Sequence, residues 1–364
     1  MSSVLFFDAT CPRPYSKRSL EEEALGGTEA SVIRIAEALD AQVMQHNRAG
    51  ADGRCRPAGA ASGVEHLVVL RDPQGLRGIA SAFPGARVYL WLHDLVRPGS
   101  KRGRRLAAAA AALAELRVTL VCVSEFQRRQ AQAVLERARI AERVRAVRIY
   151  NPVDDGLVPN GAPIDRDKLV FFSSPNKGLA LALDAFQALR RAMPRLKLRV
   201  GSPGYRSLRR AGIERVDGGV EGVEWLGALP QARMLEEVRS ALCVFYPNFV
   251  LPETFGLVLA EAKAVGTPVL THDCGAAAEV LADAGEILPV ARAVRIYERT
   301  VRVLPRSLRP LCAACADRAG VFAPYVERVR EWRGGARPVT GPDARFRTST
   351  VAGEWRRLFA GELA

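Results

Sequence analysis

The segment from Pro247 to Glu261 places two carboxylates around a short Thr254-Phe255-Gly256 turn. Glu253 lies just before a predicted helix start, and Glu261 lies inside that helix. The first turn of a helix carries unpaired backbone N–H groups and a partial positive charge, which attract phosphate. Carboxylates accept hydrogen bonds from hydroxyl groups. A single ligand with a sugar, a diphosphate and a ribose in series could therefore contact all three parts of the segment.

Two further positions, in the first half of the chain, follow predicted strands and could meet a ligand. Gly26 and Gly27 open a helix, where glycine lets the backbone approach a phosphate, although an ordinary loop explains them equally well. His93 ends an apolar strand, where a histidine could orient or polarise a substrate at neutral pH. A strand-end histidine bonded to backbone is the more common case. Ser124 is a predicted N-cap for the helix that follows it.

The run from Arg97 to Arg105 contains five basic residues and no acidic one. As a functional element it would be a mobile basic loop that presents Lys101 and Arg102 to a phosphorylated acceptor or to anionic lipid headgroups. As a structural element it would be a solvated charged turn. The sequence alone leaves both interpretations open.

In the second half, a predicted strand ends at Ser173, and the segment Ser174–Gly178 leads into a helix. Lys177 in this segment could reach a phosphate bound at the helix start. A simple turn with an exposed lysine is the alternative.

Strand-like apolar runs alternate with helical patterns along the whole chain. Strands are predicted at 4–9, 42–46, 66–70, 87–93, 119–124, 148–150, 169–173, 196–201, 223–227, 241–246, 267–271 and 285–288. Helices are predicted at 31–39, 106–116, 179–191, 230–240 and 351–359. The alternation predicts right-handed βαβ units and mostly parallel sheets, which bind ligands beyond the carboxyl ends of their strands. The segment 47–63 is predicted to be a loop or short insertion.

Length and composition predict a soluble protein of two domains, because 364 residues exceed what one core usually supports. The predicted domains are 1–160 and 161–345, with a Pro/Gly/Asp-rich linker at 158–167 and a terminal helix in 346–364. No apolar run approaches the ~20 residues that span a bilayer, and no signal peptide is expected. Seven cysteines, an odd number, suit reduced thiols in the cytoplasm.

The net charge of +14 raises the question of an anionic partner. The basic residues are spread along the chain, and no aromatic residues interleave with them as a nucleic-acid stacking platform would require. We therefore expect no nucleic-acid partner. Attraction to an anionic membrane surface or to an acidic substrate is the stronger expectation.

Taken together, these motifs resemble the retaining nucleotide-sugar enzymes of glycosyltransferase family 4. The strongest match is the E-x7-E signature from Glu253 to Glu261, with its flanks at Pro252 and Gly266–Val269. Weaker matches follow the family order at Gly26–Glu29, His93, 123–126, 151–154 and Lys177-Gly178. The resemblance implies the α/β fold called GT-B. In that fold two Rossmann-like domains face each other across a cleft, and the C-terminal helix packs back toward the N-terminal domain.

The resemblance also implies roles for the matched residues. Gly26 and Gly27 would approach the diphosphate of the donor. Lys177 would neutralise that diphosphate as the nucleotide departs, where charge develops in the transition state. His93 would lie beside the donor sugar, so that His93, Lys177 and Glu253 form the catalytic set.

Within the signature, Glu253 would bind hydroxyls of the donor sugar, and Glu261 would accept hydrogen bonds from the ribose. Backbone N–H groups of Thr254, Phe255 and Gly256 would meet the phosphates. Both carboxylates are thus expected to bind hydroxyl groups rather than to act as general acid or base.

One departure from the family pattern concerns the diphosphate site. Family members usually carry an arginine about five residues before the lysine, and the segment 171–177 of this chain has none. Either the hydroxyls of Ser173 and Ser174 take its place, or the donor is bound less tightly.

The resemblance implies retaining transfer of a sugar from a nucleotide-sugar donor to a hydroxyl of a glycan, lipid-linked or small-molecule acceptor. It implies a front-face route with no metal and no cofactor. The alternative is a non-catalytic GT-B protein that binds a nucleotide sugar or scaffolds an assembly. We expect a cytoplasmic protein with peripheral contact at the inner face of an anionic membrane.

Overall fold

The computed structural model describes residues 3–11, 13–45, 63–202, 220–282 and 286–363. The chain forms two compact units. The first comprises Met1–Gly156, Glu253–Leu257 and Asp343–Ala364, and the second comprises Leu157–Pro252 and Val258–Pro342. The loop predicted at 47–63 lies outside the described residues except for its last one. The first half of the E-x7-E signature therefore belongs to the first unit, although it is flanked in sequence by the second.

The first unit is built on a six-stranded sheet in the order β2-β1-β3-β4-β5-β6, with every neighbouring pair parallel. Its strands are β1 (Val4–Asp8), β2 (Gln42–Gln45), β3 (His66–Leu70), β4 (Arg87–Leu92), β5 (Thr119–Cys122) and β6 (Arg145–Arg148). β1 and β3 are buried along their whole length, as expected of strands covered on both faces. The strand predicted at 148–150 was placed too late, because the paired residues end at Arg148.

Within the described ranges, seven α-helices belong to the first unit. They are α1 (Lys17–Glu22), α2 (Gly27–Ala38), α3 (Leu76–Ser81), α4 (Lys101–Ala108), α5 (Ala110–Glu115), α6 (Glu125–Arg137) and, from the C-terminal segment, α14 (Thr348–Ala360). The helix predicted at 106–116 is thus two helices, and it begins earlier than expected.

The C-terminal helix α14 packs on the first sheet, as the resemblance implied. Trp355 is fully buried, and its ring centroid lies 5.8 Å from that of Phe6 and 5.0 Å from that of Trp91. One turn later, Phe359 stacks on the imidazole of His66 at 4.5 Å. The indole at position 355 therefore anchors the end of the chain to the strands β1 and β4.

The second unit has its own six-stranded parallel sheet, in the order β12-β11-β10-β7-β8-β9. Its strands are β7 (Asp165–Phe172), β8 (Lys197–Gly201), β9 (Val223–Gly227), β10 (Ala241–Tyr246), β11 (Val269–His272) and β12 (Ile287–Leu288). β7 begins at Asp165, so the linker predicted at 158–167 was too long at its C-terminal end.

The helices of this part of the chain are α7 (Leu179–Ala192), α8 (Gln231–Arg239), α9 (Leu257–Ala264), α10 (Ala277–Leu281), α11 (Arg292–Val303), α12 (Arg309–Arg318) and α13 (Ala323–Glu331). None of the helices in the described ranges is long and apolar enough to cross a membrane. Together the two sheets confirm an α/β fold with two doubly wound parallel sheets.

The strand order places one switch point in each sheet. At a switch point, the chain continues from one of two neighbouring strands toward one edge of the sheet, and from the other strand toward the opposite edge. In the first sheet it lies between β1 and β3, and in the second between β7 and β10. Open parallel sheets bind ligands outside the carboxyl ends of the strands at this point. The loops that follow these four strands are therefore the places to search for a site.

Candidate active site

The loop after β7 carries the predicted lysine into the start of α7. Ser173 and Ser174 are buried, and the backbone N–H of Lys177 donates to the carbonyl of Ser174 at 2.9 Å. Gly178 follows as the N-cap of α7 with φ = +89°, a left-handed conformation that favours glycine. This turn sets the lysine at the amino end of a 14-residue helix, where the backbone already favours an anion.

The loop after β10 lies directly against this turn. A Cβ at Gly178 would lie 3.2 Å from the Cα of Asn248, so a larger residue would displace the loop after β10 by a few tenths of an ångström and would also be strained at this φ angle. Asn248 is buried and stabilises its own loop, because its amide donates to the carbonyl of Leu251 at 2.8 Å and its oxygen accepts from the N–H of Val250 at 3.2 Å. The two loops at the switch point of the second sheet therefore form one packed structure.

Ser173 joins the same structure through a side-chain contact. Its hydroxyl lies 3.5 Å from the phenol oxygen of Tyr246, the last residue of β10. The predicted substitution of Ser173 and Ser174 for the family arginine stays a prediction. Tyr246 and Asn248 were not identified from the sequence, although Asn248 lies in the segment Pro247–Glu261 and Tyr246 directly precedes it.

Glu261 lies in the second turn of α9 and is buried, with 3% of its surface exposed. The side-chain amide of Gln231, the first residue of α8, donates to its Oε1 atom. A buried carboxylate held by a neutral amide is a suitable acceptor for hydroxyl groups. Gln231 was missed from the sequence because nothing in the helical pattern around it distinguishes it from a surface residue.

The segment Glu253–Leu257 belongs to the first unit through a series of polar contacts. The hydroxyl of Thr254 donates to the carbonyl of His93 at 2.9 Å, and the carbonyl of Thr254 accepts from the hydroxyl of Ser124. Ser124 also caps α6 as predicted, because its oxygen accepts from the N–H of Gln127 at 3.0 Å. Gly256 has φ = +95°, which turns the chain into α9. Glu253 is 2% exposed at the head of this segment.

Phe255 fixes the same segment by apolar packing. Its side chain is 1% exposed, with ring centroids 5.9 Å from Tyr150 and 5.1 Å from Phe346. An aromatic side chain of this size contributes much of the burial that holds a short segment in place. Its side chain is thus a structural anchor, and the predicted contact of its backbone N–H with phosphate stays a prediction.

His93 follows β4 and is 8% exposed, with its ring 4.5 Å from that of Trp91. Its Nε2 atom has no hydrogen-bond partner in the described part of the chain. Burial, and then the charge of Arg71, hold the pKa of His93 well below its usual range, so the imidazole is neutral at physiological pH. A neutral imidazole with an unpartnered nitrogen suits a hydrogen bond to a sugar hydroxyl.

Arg71 is a charged residue at the switch point of the first sheet that the sequence did not single out. It follows β3 with φ = +65°, and its guanidinium pairs with Glu29 in the first turn of α2 at 2.8 Å. Although burial alone would lower it, the carboxylates of Glu29, Asp94 and Asp8 raise the pKa of Arg71. The only feature of the sequence that could have indicated Arg71 is its position directly after β3, a strand that is buried along its whole length.

The amino end of α2 contains the predicted glycines. Gly26 is the N-cap in an extended conformation, and a Cβ at Gly27 would lie 3.4 Å from Cδ2 of Leu257, an ordinary contact. The contact with Leu257 therefore does not by itself require glycine. The Arg71–Glu29 ion pair ties this helix start to the end of β3.

The basic run at 97–105 is not a loop throughout. Lys101 begins α4, and Ser100 caps this helix by accepting from the N–H of Gly103 at 3.0 Å. A Cβ at Gly103 would lie 2.2 Å from the carbonyl oxygen of Arg97, so the glycine lets the first turn fold onto the preceding segment. The expectation of a loop or a charged turn was wrong for residues 101–105, because a capped helix with glycine at this contact forms there despite its basic amino end.

Two of the bases in this run are committed to acidic neighbours. Arg102 pairs with Asp94 at 3.0 Å, and Arg105 pairs with the buried Asp72 at 2.5 Å. These ion pairs offset the unfavourable interaction of cations with the helix dipole. Lys101 is exposed. The predicted acceptor contacts of Lys101 and Arg102 stay predictions, and an acceptor would have to compete with Asp94 for Arg102.

Comparison with protein families gives a match over part of the chain. Residues 166–305 match the family described as glycosyl transferases group 1. The chain contains a glycosyl transferases group 1 domain. The loops after β7 and β10 and the carboxylate of Glu261 all lie within the matched residues. Among the described residues of the chain, no three His, Cys, Asp or Glu side chains cluster as metal ligands would.

Curated relatives match part of the chain's length. A phosphatidyl-myo-inositol mannosyltransferase of Mycobacterium leprae (strain TN) is 34% identical over 116 residues, covering 32% of this chain and 30% of the relative. That of Mycobacterium tuberculosis (strain ATCC 25618 / H37Rv) is 32% identical over 155 residues, covering 40% of each. The matches thus span less than half of these relatives.

Two solved structures match the chain over nearly all of its length. The sucrose-phosphate synthase of Thermosynechococcus elongatus has a TM-score of 0.59 at 16% identity, covering 99% of this chain and 100% of the other. A glycosyltransferase from Rickettsia africae ESF-5 has a TM-score of 0.58 at 13% identity, covering 100% and 99%. At these identities the similarity concerns the fold, which is the GT-B fold.

Proposed function

We propose that the protein is a retaining glycosyltransferase that moves a sugar from a nucleotide-sugar donor to a hydroxyl acceptor. The observation that carries the proposal is the packing of Gly178 against Asn248, which brings the Lys177 helix start to the switch point of a group 1 domain. This is where a parallel sheet binds phosphate-bearing ligands. We assign the donor diphosphate to Lys177, Ser173 and Ser174, and the ribose to Glu261.

The reaction breaks the bond between the anomeric carbon and the diphosphate oxygen and forms a bond from the same face to the acceptor oxygen. The acceptor proton passes to the departing diphosphate. Lys177 and the amino end of α7 stabilise the charge that develops there, so that neither Glu253 nor Glu261 has to transfer a proton. Glu253 and the neutral His93 hold the sugar. We further propose that the reaction needs no metal, so that activity should survive a chelator.

The acceptor belongs to the proposal as well. The curated relatives are named phosphatidyl-myo-inositol mannosyltransferases, and that name favours a lipid-linked acceptor for this chain. A lipid acceptor would require contact with a membrane surface, and the net charge of +14 suits an anionic one. We therefore propose a cytoplasmic protein that works at the inner face of the membrane.

The test begins with thermal unfolding of the wild type in the presence of UDP, GDP and their sugars. Ligand at 100 times its Kd adds about 2.7 kcal/mol of stability, which gives a clear shift. Lys177→Ala should reduce the increase in melting temperature caused by the diphosphate. Glu261→Gln should reduce the increase caused by every nucleotide with a free ribose. The matched control is Lys197→Ala, at an exposed lysine with a single ion pair at 3.7 Å. Full donor binding and turnover in both site variants would refute the assignment.

A second candidate is a nucleotide-sugar-binding protein without transferase activity, which the missing arginine in the segment 171–177 favours. The two candidates differ in the fate of the donor. Mass spectrometry of a reaction with a broad set of lipid, glycan and small-molecule acceptors should detect a glycosylated product if the first is correct. Donor binding by calorimetry with no product across that set would favour the second.

A further inference from the structure

Helix α11 in the second unit has two contrasting faces. Val294 and Tyr297 are buried against the unit, and the Tyr297 hydroxyl donates to Asp184 of α7 at 2.8 Å. The opposite face contains four exposed arginines and two exposed aliphatic residues: Arg292, Arg295, Arg299, Arg302, Ile296 and Val303. At about 100° per residue, these six side chains fall within roughly one third of the helix circumference.

The segment that follows α11 adds two more exposed aliphatic side chains. Seven large apolar side chains are exposed in the described ranges, and four of them lie here: Ile296 (55%), Val303 (82%), Leu308 (46%) and Leu311 (60%). Single exposed apolar residues are ordinary on a protein surface, but four of them within residues 296–311 indicate a candidate interaction site. We call these four residues and the four arginines the α11 surface.

The charge of the α11 surface is largely uncompensated. Arg302 pairs with Glu298, and Arg295 lies with its guanidinium 6.0 Å from the ring centroid of Phe249. Within the described residues, Arg292 and Arg299 form no ion pair. The exposed face therefore combines positive charge with large apolar side chains, which is the pattern of a helix that lies in a membrane interface.

The basic helix α4 lacks this combination. Two of its arginines pair with acidic neighbours, Arg102 with Asp94 and Arg105 with Asp72. Its other exposed positions include the alanines 107 and 108, which bury little apolar area. The basic run first considered for membrane contact thus has charge without an apolar surface.

We propose that the α11 surface docks on an anionic lipid bilayer, with Ile296, Val303, Leu308 and Leu311 in the boundary between headgroups and acyl chains. The arginines would reach the phosphates of the headgroups, because their aliphatic stems can lie along the apolar boundary while the guanidinium stays in the polar layer. A nucleic-acid partner would use the arginines but would leave the four aliphatic side chains in water. Charge and exposed apolar area together therefore favour lipid.

The test is co-sedimentation of the full chain with vesicles of phosphatidylcholine alone or with 30% phosphatidylglycerol, a probe composition of roughly physiological surface charge. Wild type should bind the anionic vesicles, and 1 M salt should weaken binding because it shortens the Debye length to about 3 Å. The charge variant Arg292→Glu/Arg299→Glu and the apolar variant Ile296→Asp/Val303→Asp should each reduce partitioning by about tenfold or more. All four positions are exposed, so circular dichroism and melting temperature should stay at wild-type values.

The matched control is Lys101→Glu/Arg104→Glu on α4, which makes the same charge change at exposed positions of the first unit. It should retain most of the binding. Loss of vesicle binding in this control but not in the α11 variants would overturn the proposal. So would wild-type protein that does not bind anionic vesicles. A self-association abolished by the apolar variant, without vesicle binding, would reassign the surface to a second copy of the chain. Vesicle binding requires no sugar transfer, so failure here would leave the proposed reaction untouched.

Discussion

Thr254 donates its hydroxyl to the backbone carbonyl of His93 at 2.9 Å. The bond joins the head of the E-x7-E signature to the end of β4, and so couples the position of Glu253 to that of the histidine. We predict that Thr254→Val lowers turnover and costs about 1 kcal/mol of unfolding free energy, because it leaves a part-buried carbonyl without its donor. Thr254→Ser keeps the hydroxyl and should retain most of the turnover and most of the unfolding free energy. Chemical denaturation and a donor-turnover assay measure the two effects.

The bond between Thr254 and His93 could not be predicted from the sequence, whereas several strands could. The apolar runs predicted strands such as β3 and β10 to the residue, because burial on both faces requires apolar side chains. The signature predicted the chemistry near Glu253 and Glu261. It did not predict that Glu253–Leu257 belongs to the first unit, because that depends on contacts of Thr254 and Phe255 with residues far away in the chain.

Charged pairs were the least predictable part of the candidate site. Arg71 and Glu29 are 42 residues apart, and only the switch point of the first sheet brings them together. The basic run was misassigned as a loop for a related reason. Its helix depends on the cap at Ser100, on the close contact at Gly103 and on acidic partners such as Asp94. Counting the charges between residues 97 and 105 takes none of these into account.

The Arg71–Glu29 pair leads to a second prediction. Arg71→Met should destabilise the protein by about 3 kcal/mol, because it leaves the Glu29 carboxylate, only 10% exposed, without its cation. The pKa of His93 should rise, since burial would remain but the repulsion by Arg71 would be lost. Adding Glu29→Gln to Arg71→Met should recover much of the stability. Urea titration and the NMR titration of the His93 ring test both parts; an unchanged His93 titration would contradict the electrostatic role.

Gly178 carries a third prediction, because two independent constraints meet at one residue. Its φ of +89° is strained for any residue with a Cβ, and that Cβ would lie 3.2 Å from the Cα of Asn248. We expect Gly178→Ala to cost about 1–3 kcal/mol and to weaken binding of nucleoside diphosphates by displacing Lys177. Gly75→Ala is a fair control, because Gly75 has φ = +72° as an N-cap with nothing within 4 Å of its would-be Cβ. Equal loss of ligand affinity in both variants would argue against a contact-specific effect.

Gln231 provides a fourth prediction, since its amide orients the Glu261 carboxylate. Gln231→Leu should weaken binding of a nucleoside diphosphate by about five- to tenfold, because one net hydrogen bond is worth about 1 kcal/mol. Binding of the matching 2′,3′-dideoxynucleotide should change little, because that ligand has no ribose hydroxyl for Glu261 to hold. Calorimetry with the two ligands separates these outcomes. An equal loss for both ligands would place the effect of Gln231 elsewhere than at the ribose.

Asp184 yields a prediction about pH. Burial raises the pKa of its carboxyl from 3.8 to about 6, although Tyr297 donates a hydrogen bond to it at 2.8 Å. Between about pH 4 and pH 6 the folded state then holds a proton that the unfolded state has lost, so stability falls as pH rises through this window. Asp184→Asn removes that fall and keeps an acceptor for Tyr297. At pH 7.5 we expect the variant to be more stable than wild type by about 3 kcal/mol, and at pH 4 about equal to it. Urea titrations at the two pH values measure the free energy of unfolding. A variant less stable than wild type at pH 7.5 would show that the ionised carboxylate stabilises the fold.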